Sequence, residues 1–136
     1  MSAAELRQSV PSAAKKQYEL GLKSVNKGNF EKAATHFQEA LAIYPEYIAA
    51  RNDLGAQYLK LKQLDEAQKQ FDMVLANDPK NFNAKFNMGL VQVERRNYTE
   101  AIALLNQAIV IDSTRPVARL WIGIAKLELG RSEERV

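Results

Sequence analysis

The six glycines of this 136-residue chain all fall on two points of a 34-residue lattice. Gly21, Gly55, Gly89 and Gly123 are each separated from the next by 34 residues, and Gly28 and Gly130 lie three such periods apart. Three of the four prolines, Pro11, Pro45 and Pro79, keep the same step, while Pro116 falls three residues beyond the next point at Ser113. Residue type follows the spacing. Leu20-Gly21, Leu54-Gly55, Met88-Gly89 and Ile122-Gly123 align, as do Ala33, Ala67 and Ala101, then Phe37, Phe71 and Leu105, then Ala40, Val74 and Ala108. A fixed period of this length marks a repeat protein rather than a chain folding around one core. The units run 14–47, 48–81 and 82–115, followed by a partial unit at 116–136 and preceded by a leader at 1–13.

Within a unit the apolar residues recur at helical spacing. Ala67, Phe71, Val74 and Leu75 stand at i, i+4, i+7 and i+8, and Leu54, Tyr58 and Leu61 form an earlier row that stops at Lys62-Gln63. Two helices per unit follow, about seven in all. Gly28 suits a left-handed helix stop, Asn29 and Asn97 suit caps of the following helix, and Ser12 after Pro11 suits the first cap. Pro45 and Pro79 then end each second helix, because proline lacks an N–H and fixes φ. The glycines at 21, 55, 89 and 123 sit inside the first helix, where Gly costs about 1 kcal/mol relative to Ala. Close approach of the second helix is the expected compensation, with Ala33, Ala67 and Ala101 facing the gap and Phe37 and Phe71 filling the space beyond. Gly28 and Gly130 are expected to mark helix ends.

Composition narrows the function. At 46% hydrophobic and 26% charged, the chain reads as neither disordered nor membrane-embedded. It has no Cys and one His, which removes disulfide frameworks, Cys nucleophiles, Cys-based zinc sites and any site needing two His ligands. Lys plus Arg is 19 and Asp plus Glu is 16, and the only doubled basic pairs are Lys15-Lys16 and Arg95-Arg96, so nothing suggests nucleic-acid binding. His36 has no Ser or carboxylate in a triad pattern around it, and no phosphate loop or metal-ligand cluster occurs. No apolar run approaches a membrane span or a signal peptide. The expectation is a soluble, non-enzymatic protein without a cofactor or metal, cytoplasmic by default unless it was cut from an exported parent.

The aligned columns resemble the tetratricopeptide repeat, whose W-x2-L-G-x2-Y, A-x3-F and P positions share this period. The second unit matches best, with Leu54-Gly55, Tyr58, Ala67, Phe71 and Pro79; the first keeps Leu20-Gly21, Ala33, Phe37, Ala40 and Pro45. Departures are Gln17, Arg51 and Lys85 at the Trp position, Ser24 and Gln92 at the Tyr position, and Ser113 at the Pro position. The resemblance implies an all-α, right-handed α-solenoid of antiparallel helix pairs, forming one domain over 14–136. It also implies a concave groove lined by the first helices, here Tyr18, Leu22, Asn52, Leu59, Asn83, Phe86, Asn87, Leu90, Leu120, Trp121 and Ile124. Such a groove suits a peptide or helix segment of a partner protein, aromatic and Leu side chains gripping it and Asn amides pairing with its backbone. The relatives that clamp acidic chaperone C-termini carry Lys and Asn where this chain has Tyr18 and Leu22, Asn where it has Asp53, and Lys and Arg where it has Asn83 and Asn87; with no cation present and Asp53 repelling a carboxylate, that partner class is not expected. An Asn ladder similar to that of N-acetylglucosamine transferases matches only at Asn87, against Glu19, Asp53 and Trp121.

The partial fourth unit leaves only Arg131 to Val136 for a second helix. Its first helix carries two apolar rows, Ala118, Ile122, Ala125 and Leu129, and separately Leu120, Ile124 and Leu127 with Trp121 beside them. A helix apolar on both sides is ordinarily covered on both. The alternative expectation is therefore a longer repeat array, or self-association as a homodimer through this C-terminal helix.

Overall fold

The computed structural model describes residues 9–135; residues 1–8 of the leader, Leu6 included, and Val136 lie outside the described residues. All regular structure among them is helical. Seven helices follow in order: α1 Ser12–Asn26, α2 Phe30–Ile43, α3 Ile48–Lys60, α4 Leu64–Asn77, α5 Phe82–Glu94, α6 Tyr98–Ile111 and α7 Val117–Glu134. They divide into two units, Met1–Lys62 and Gln63–Val136.

In the first unit α2 packs against both α1 and α3. Its core is Ala33, Ala34, Phe37, Ala40 and Leu41 of α2 with Ala50 and Leu54 of α3, flanked by Tyr18, Val25, Tyr47 and Tyr58. In the second unit α5 packs against α4 and α6, α6 against α7, and α5 also touches α7. Phe82, Ala108 and Ala118 form a core there, with Phe86, Ile109, Ile111 and Val117 around it. Within each unit, short connections make consecutive helices antiparallel neighbours.

The two kinds of turn are repeated with changing residues. Between α1 and α2, Gly28 takes φ +74°. The Gly28 N–H donates to Val25 O at 2.9 Å and the Asn29 N–H to Ser24 O at 2.9 Å, a Schellman closure. Lys62 and Arg96, one and two periods later, take the same left-handed conformation at φ 61° and 64°. A side chain there is strained, because Cβ crowds the carbonyl in the left-handed region. Arg96→Gly is accordingly expected to raise stability by about 0.5–1 kcal/mol, the relief of strain outweighing the extra freedom of the unfolded chain. A rise in the urea midpoint at unchanged slope checks it; a fall would refute it.

The second kind of turn follows α2, α4 and α6. Tyr44, Asp78 and Asp112 each donate an N–H to the carbonyl four residues back, at 2.8, 2.8 and 3.0 Å. Proline comes next in the first two turns. Where Ser113 replaces it, Asp112 Oδ1 accepts from the Thr114 N–H at 3.0 Å and hydroxyl at 2.6 Å, so an Asx turn redirects the chain instead.

Several local expectations need correction. Ser12 is the first residue of α1 and Pro11 its N-cap, with no side-chain cap. Asn29 does cap α2, accepting from the Lys32 N–H at 3.2 Å. Asn97 stands at the N-cap of α6, but its side chain accepts no capping bond. Its Nδ2 donates instead to Gln92 Oε1 at 3.0 Å, so the buried Gln at the repeat's Tyr position draws the cap away. Gly130 ends no helix, because α7 runs through it to Glu134.

The close-approach glycines also separate. A Cβ on Gly21 would enter the van der Waals envelope of the Phe37 ring, and one on Gly89 would lie 2.8 Å from Leu105 Cγ and Cδ2. The facing group is thus the large residue of α2 or α6 rather than the alanine column, although Ala101 O lies 3.6 Å from the Gly89 position. Gly123 departs from the expected pattern: nothing would lie within 4 Å of its Cβ. No second helix folds back on α7 among the described residues, so the contact has no partner.

Candidate functional site

The first helices of the first unit are joined across their faces by one short hydrogen bond. The Tyr18 hydroxyl on α1 donates to Asp53 Oδ2 on α3 at 2.6 Å. Burial pushes the Tyr18 hydroxyl far above the usual tyrosine range, and the Asp53 hydrogen bond and negative charge add to the shift. Burial also raises the Asp53 carboxyl, while the Tyr18 hydrogen bond acts against that rise. The Tyr18 ring lies 5.5 Å from Phe37 and 5.1 Å from Tyr47, and Tyr47 meets Tyr44 in an edge-to-face contact at 5.9 Å. Of the other residues expected here, Leu22 is exposed and Leu59 half-buried. Asn52 is only 6% exposed, which turns its amide into the protein rather than toward solvent.

In the second unit α5 carries Asn83, exposed, and Phe86, Asn87 and Leu90, half-buried. Phe86 stacks nearly parallel on Phe82, 8° between planes and 6.0 Å between centroids. Leu120 on α7 is 62% exposed, and Trp121 and Ile124 are half-buried. α5 touches α7.

Arg115, which meets Phe82 and Asn83, is a residue that the columns did not single out. Its guanidinium lies 4.1 Å above the Phe82 ring centroid and donates to Asn83 Oδ1 at 2.9 Å. Arg115 stands one position before the partial unit, the same lattice point as Tyr47, which packs on Tyr18. The residue preceding each 34-residue repeat was the available signal. The intervening member, Asn81, instead caps α5 by accepting from the Ala84 N–H at 3.0 Å.

His36 Nδ1 donates to Gln17 Oε1 at 2.9 Å, a structural tie between α2 and α1. Among the described residues no group of three His, Cys, Asp or Glu side chains could hold a metal, and no helix is long and apolar enough to cross a membrane.

Comparison with known proteins agrees with this architecture. A family profile described as tetratricopeptide repeat matches residues 25–86. Superkiller protein 3 of Schizosaccharomyces pombe is 28% identical over 113 residues, covering 79% of this chain and 8% of that protein. The chain therefore spans less than a tenth of that relative's length. The Sgt2 tetratricopeptide domain of Aspergillus fumigatus superposes with a TM-score of 0.84 at 17% identity, covering 93% of this chain and 85% of that one. The first such domain of Spaghetti, solved with the HSP90 peptide SRMEEVD, superposes with a TM-score of 0.80 at 15% identity, covering 87% and 96%.

Proposed function

Because the chain belongs to the tetratricopeptide repeat family, a fold typical of non-catalytic interaction modules, we propose that it captures a segment of a partner protein on α5 and α7 of its second unit. The observation that carries this reading is the juxtaposition of α5 and α7. Phe86 and Leu90 share α5 with Asn83 and Asn87 at helical spacing, and α7, which touches α5, carries Leu120, Trp121 and Ile124. Apolar side chains of a peptide gain from burial there, and the amides can hydrogen-bond its backbone. The bound peptide of the Spaghetti domain supports the same use of the fold.

A random dodecapeptide library displayed against the immobilised chain tests this reading. Selected peptides should lose about tenfold or more in affinity when Phe86 and Asn87 are both replaced by alanine, as truncating anchoring residues does. Equal binding by a variant with unchanged far-UV circular dichroism would place capture elsewhere.

A second reading has its own observation. Leu120 and Leu127 lie seven positions apart on α7 and are 62% and 64% exposed, with Ile124 between them. A two-fold contact between two copies of α7 would cover this stripe. Sedimentation equilibrium on the same sample discriminates: a monomer over the whole concentration range refutes self-association, whereas a dimer broken by Leu120→Glu with Leu127→Glu supports it.

A further inference from the structure

We propose that the exposed face of α7 centred on Gly123 receives an amphipathic helix of a partner protein, which seats a large apolar residue on Gly123 and brings a carboxylate to Arg119. The face lies within the second unit and uses no residue of α5, so it stands apart from the capture reading above.

The chain itself shows what covers such a face. On α1, Gly21 is buried under the Phe37 ring of α2, and Gln17, four residues earlier, accepts from His36 Nδ1 of that helix at 2.9 Å. On α5, Gly89 is buried under Leu105 of α6, and Lys85, four residues earlier, donates to Gln107 Oε1 at 2.8 Å. Arg119 and Gly123 occupy the same two columns on α7, and both are exposed. Lys126, in the column of the buried Ser24 and Gln92, is exposed too, with no hydrogen-bond or ion-pair partner among the described residues.

The two flanks of this face define the chemistry of its occupant. Helical spacing sets Leu120 and Leu127 along one side of Gly123 and Arg119 and Lys126 along the other. The leucines are exposed, whereas their column mates Tyr18 and Val25 pack against the core that holds Phe37. Arg119 donates to the Ser113 carbonyl at 2.8 Å, which leaves the rest of its guanidinium and all of the Lys126 ammonium to meet carboxylates. A two-fold contact centred on Gly123 would bring the cations of both copies together, whereas an acidic helix pairs with them.

The end of α7 separates this face from its counterparts. Gly28 and Arg96 take the left-handed conformation that sends the chain back along α1 and α5. Gly130 shares their column but stays helical, and α7 runs on to Glu134. The chain does not turn back there, and the covering helix belongs to a partner. Its pattern is that of α2 and α6: alanine four positions before and three after the large residue, and a polar group two positions after it, in the column of Glu39 and Gln107.

A synthetic peptide of the α2 sequence, Phe30–Ile43, stapled between the exposed Glu31 and Thr35 to hold it helical, is the probe. Isothermal titration calorimetry against the full chain should show saturable binding that weakens about tenfold or more when Phe37 of the peptide becomes alanine. Gly123→Ala in the chain leaves α7 helical, yet it should weaken the unchanged peptide about tenfold, because the new Cβ occupies the seat of the ring. Glu39→Gln in the peptide should cost about threefold against the native chain and nothing against an Arg119→Gln variant. Absence of saturable binding, equal binding by Gly123→Ala, or additive losses from the Glu39 and Arg119 substitutions overturns the proposal. So does a dimer in sedimentation equilibrium that Gly123→Ala dissociates, since a second copy would then occupy the face.

Discussion

Truncating Phe37 to alanine should lower the free energy of unfolding by about 4 kcal/mol, measured by guanidinium denaturation. The ring is fully buried at the centre of the first unit. It fills the space left by Gly21 on α1 and touches the Tyr18 ring at 5.5 Å. Glycine has no side chain with which to refill the void, and the neighbouring Ala33 and Ala40 are too short to do so. The cavity therefore persists, which places the cost in the upper part of the range for buried aromatic truncations. Stability in repeat proteins is largely a sum of local and neighbour contributions. Hydrogen exchange should accordingly show the loss in α1, α2 and α3 first. A loss under 1 kcal/mol would mean that Phe37 does not hold this unit together.

Alanine at Gly21 and alanine at Gly123 should have opposite effects, although the two residues occupy the same column of the sequence. Both lie inside helices, so each substitution gains about 1 kcal/mol of helix propensity. At Gly123 nothing would lie within 4 Å of the new Cβ, and the gain stands: stability should rise by about 1 kcal/mol. At Gly21 the new methyl would enter the ring of Phe37, a rigid group already packed on all sides. Overpacking of this kind costs roughly 1–3 kcal/mol, and interpenetration with a ring belongs at or beyond its upper end. A net loss of about 2 kcal/mol is expected, and Phe37→Leu in the same chain should recover part of it through direct coupling of the pair. Denaturation midpoints check the contrast. Two shifts of the same sign would show that the Phe37 contact does not determine the outcome.

These glycines also show how far the sequence could be read. The period, the hairpins and the position of each turn follow from residues whose backbone preferences are local. Gly28 takes the left-handed conformation, and proline ends α2 and α4. Even where the signature residue changes, the backbone repeats: Lys62 and Arg96 adopt the glycine conformation, and Asp112 with Thr114 replaces proline by an Asx turn. Local hydrogen bonding and the apolar pattern hold those turns against the strain.

The candidate site was legible in part. The helices that carry it were identified by their columns, as were the exposed or half-buried Phe86, Asn87 and Leu120. What each polar group does was not legible, because that depends on the atoms facing it. Asp53 meets a tyrosine from another helix, Asn97 is drawn to Gln92, and Arg115 reaches back to Asn83.

By itself, then, the sequence determined a 34-residue, two-helix repeat with its turns and apolar faces, since periodic burial and backbone preference are properties of a short segment. Only the tertiary structure decided that Gly21 and Gly89 are closed contacts while Gly123 is open, that Asn52 is buried, and that Tyr18 meets both Tyr47 and Asp53. A column fixes where a residue lies on its own helix; the neighbouring helix, present or absent, fixes what that residue meets.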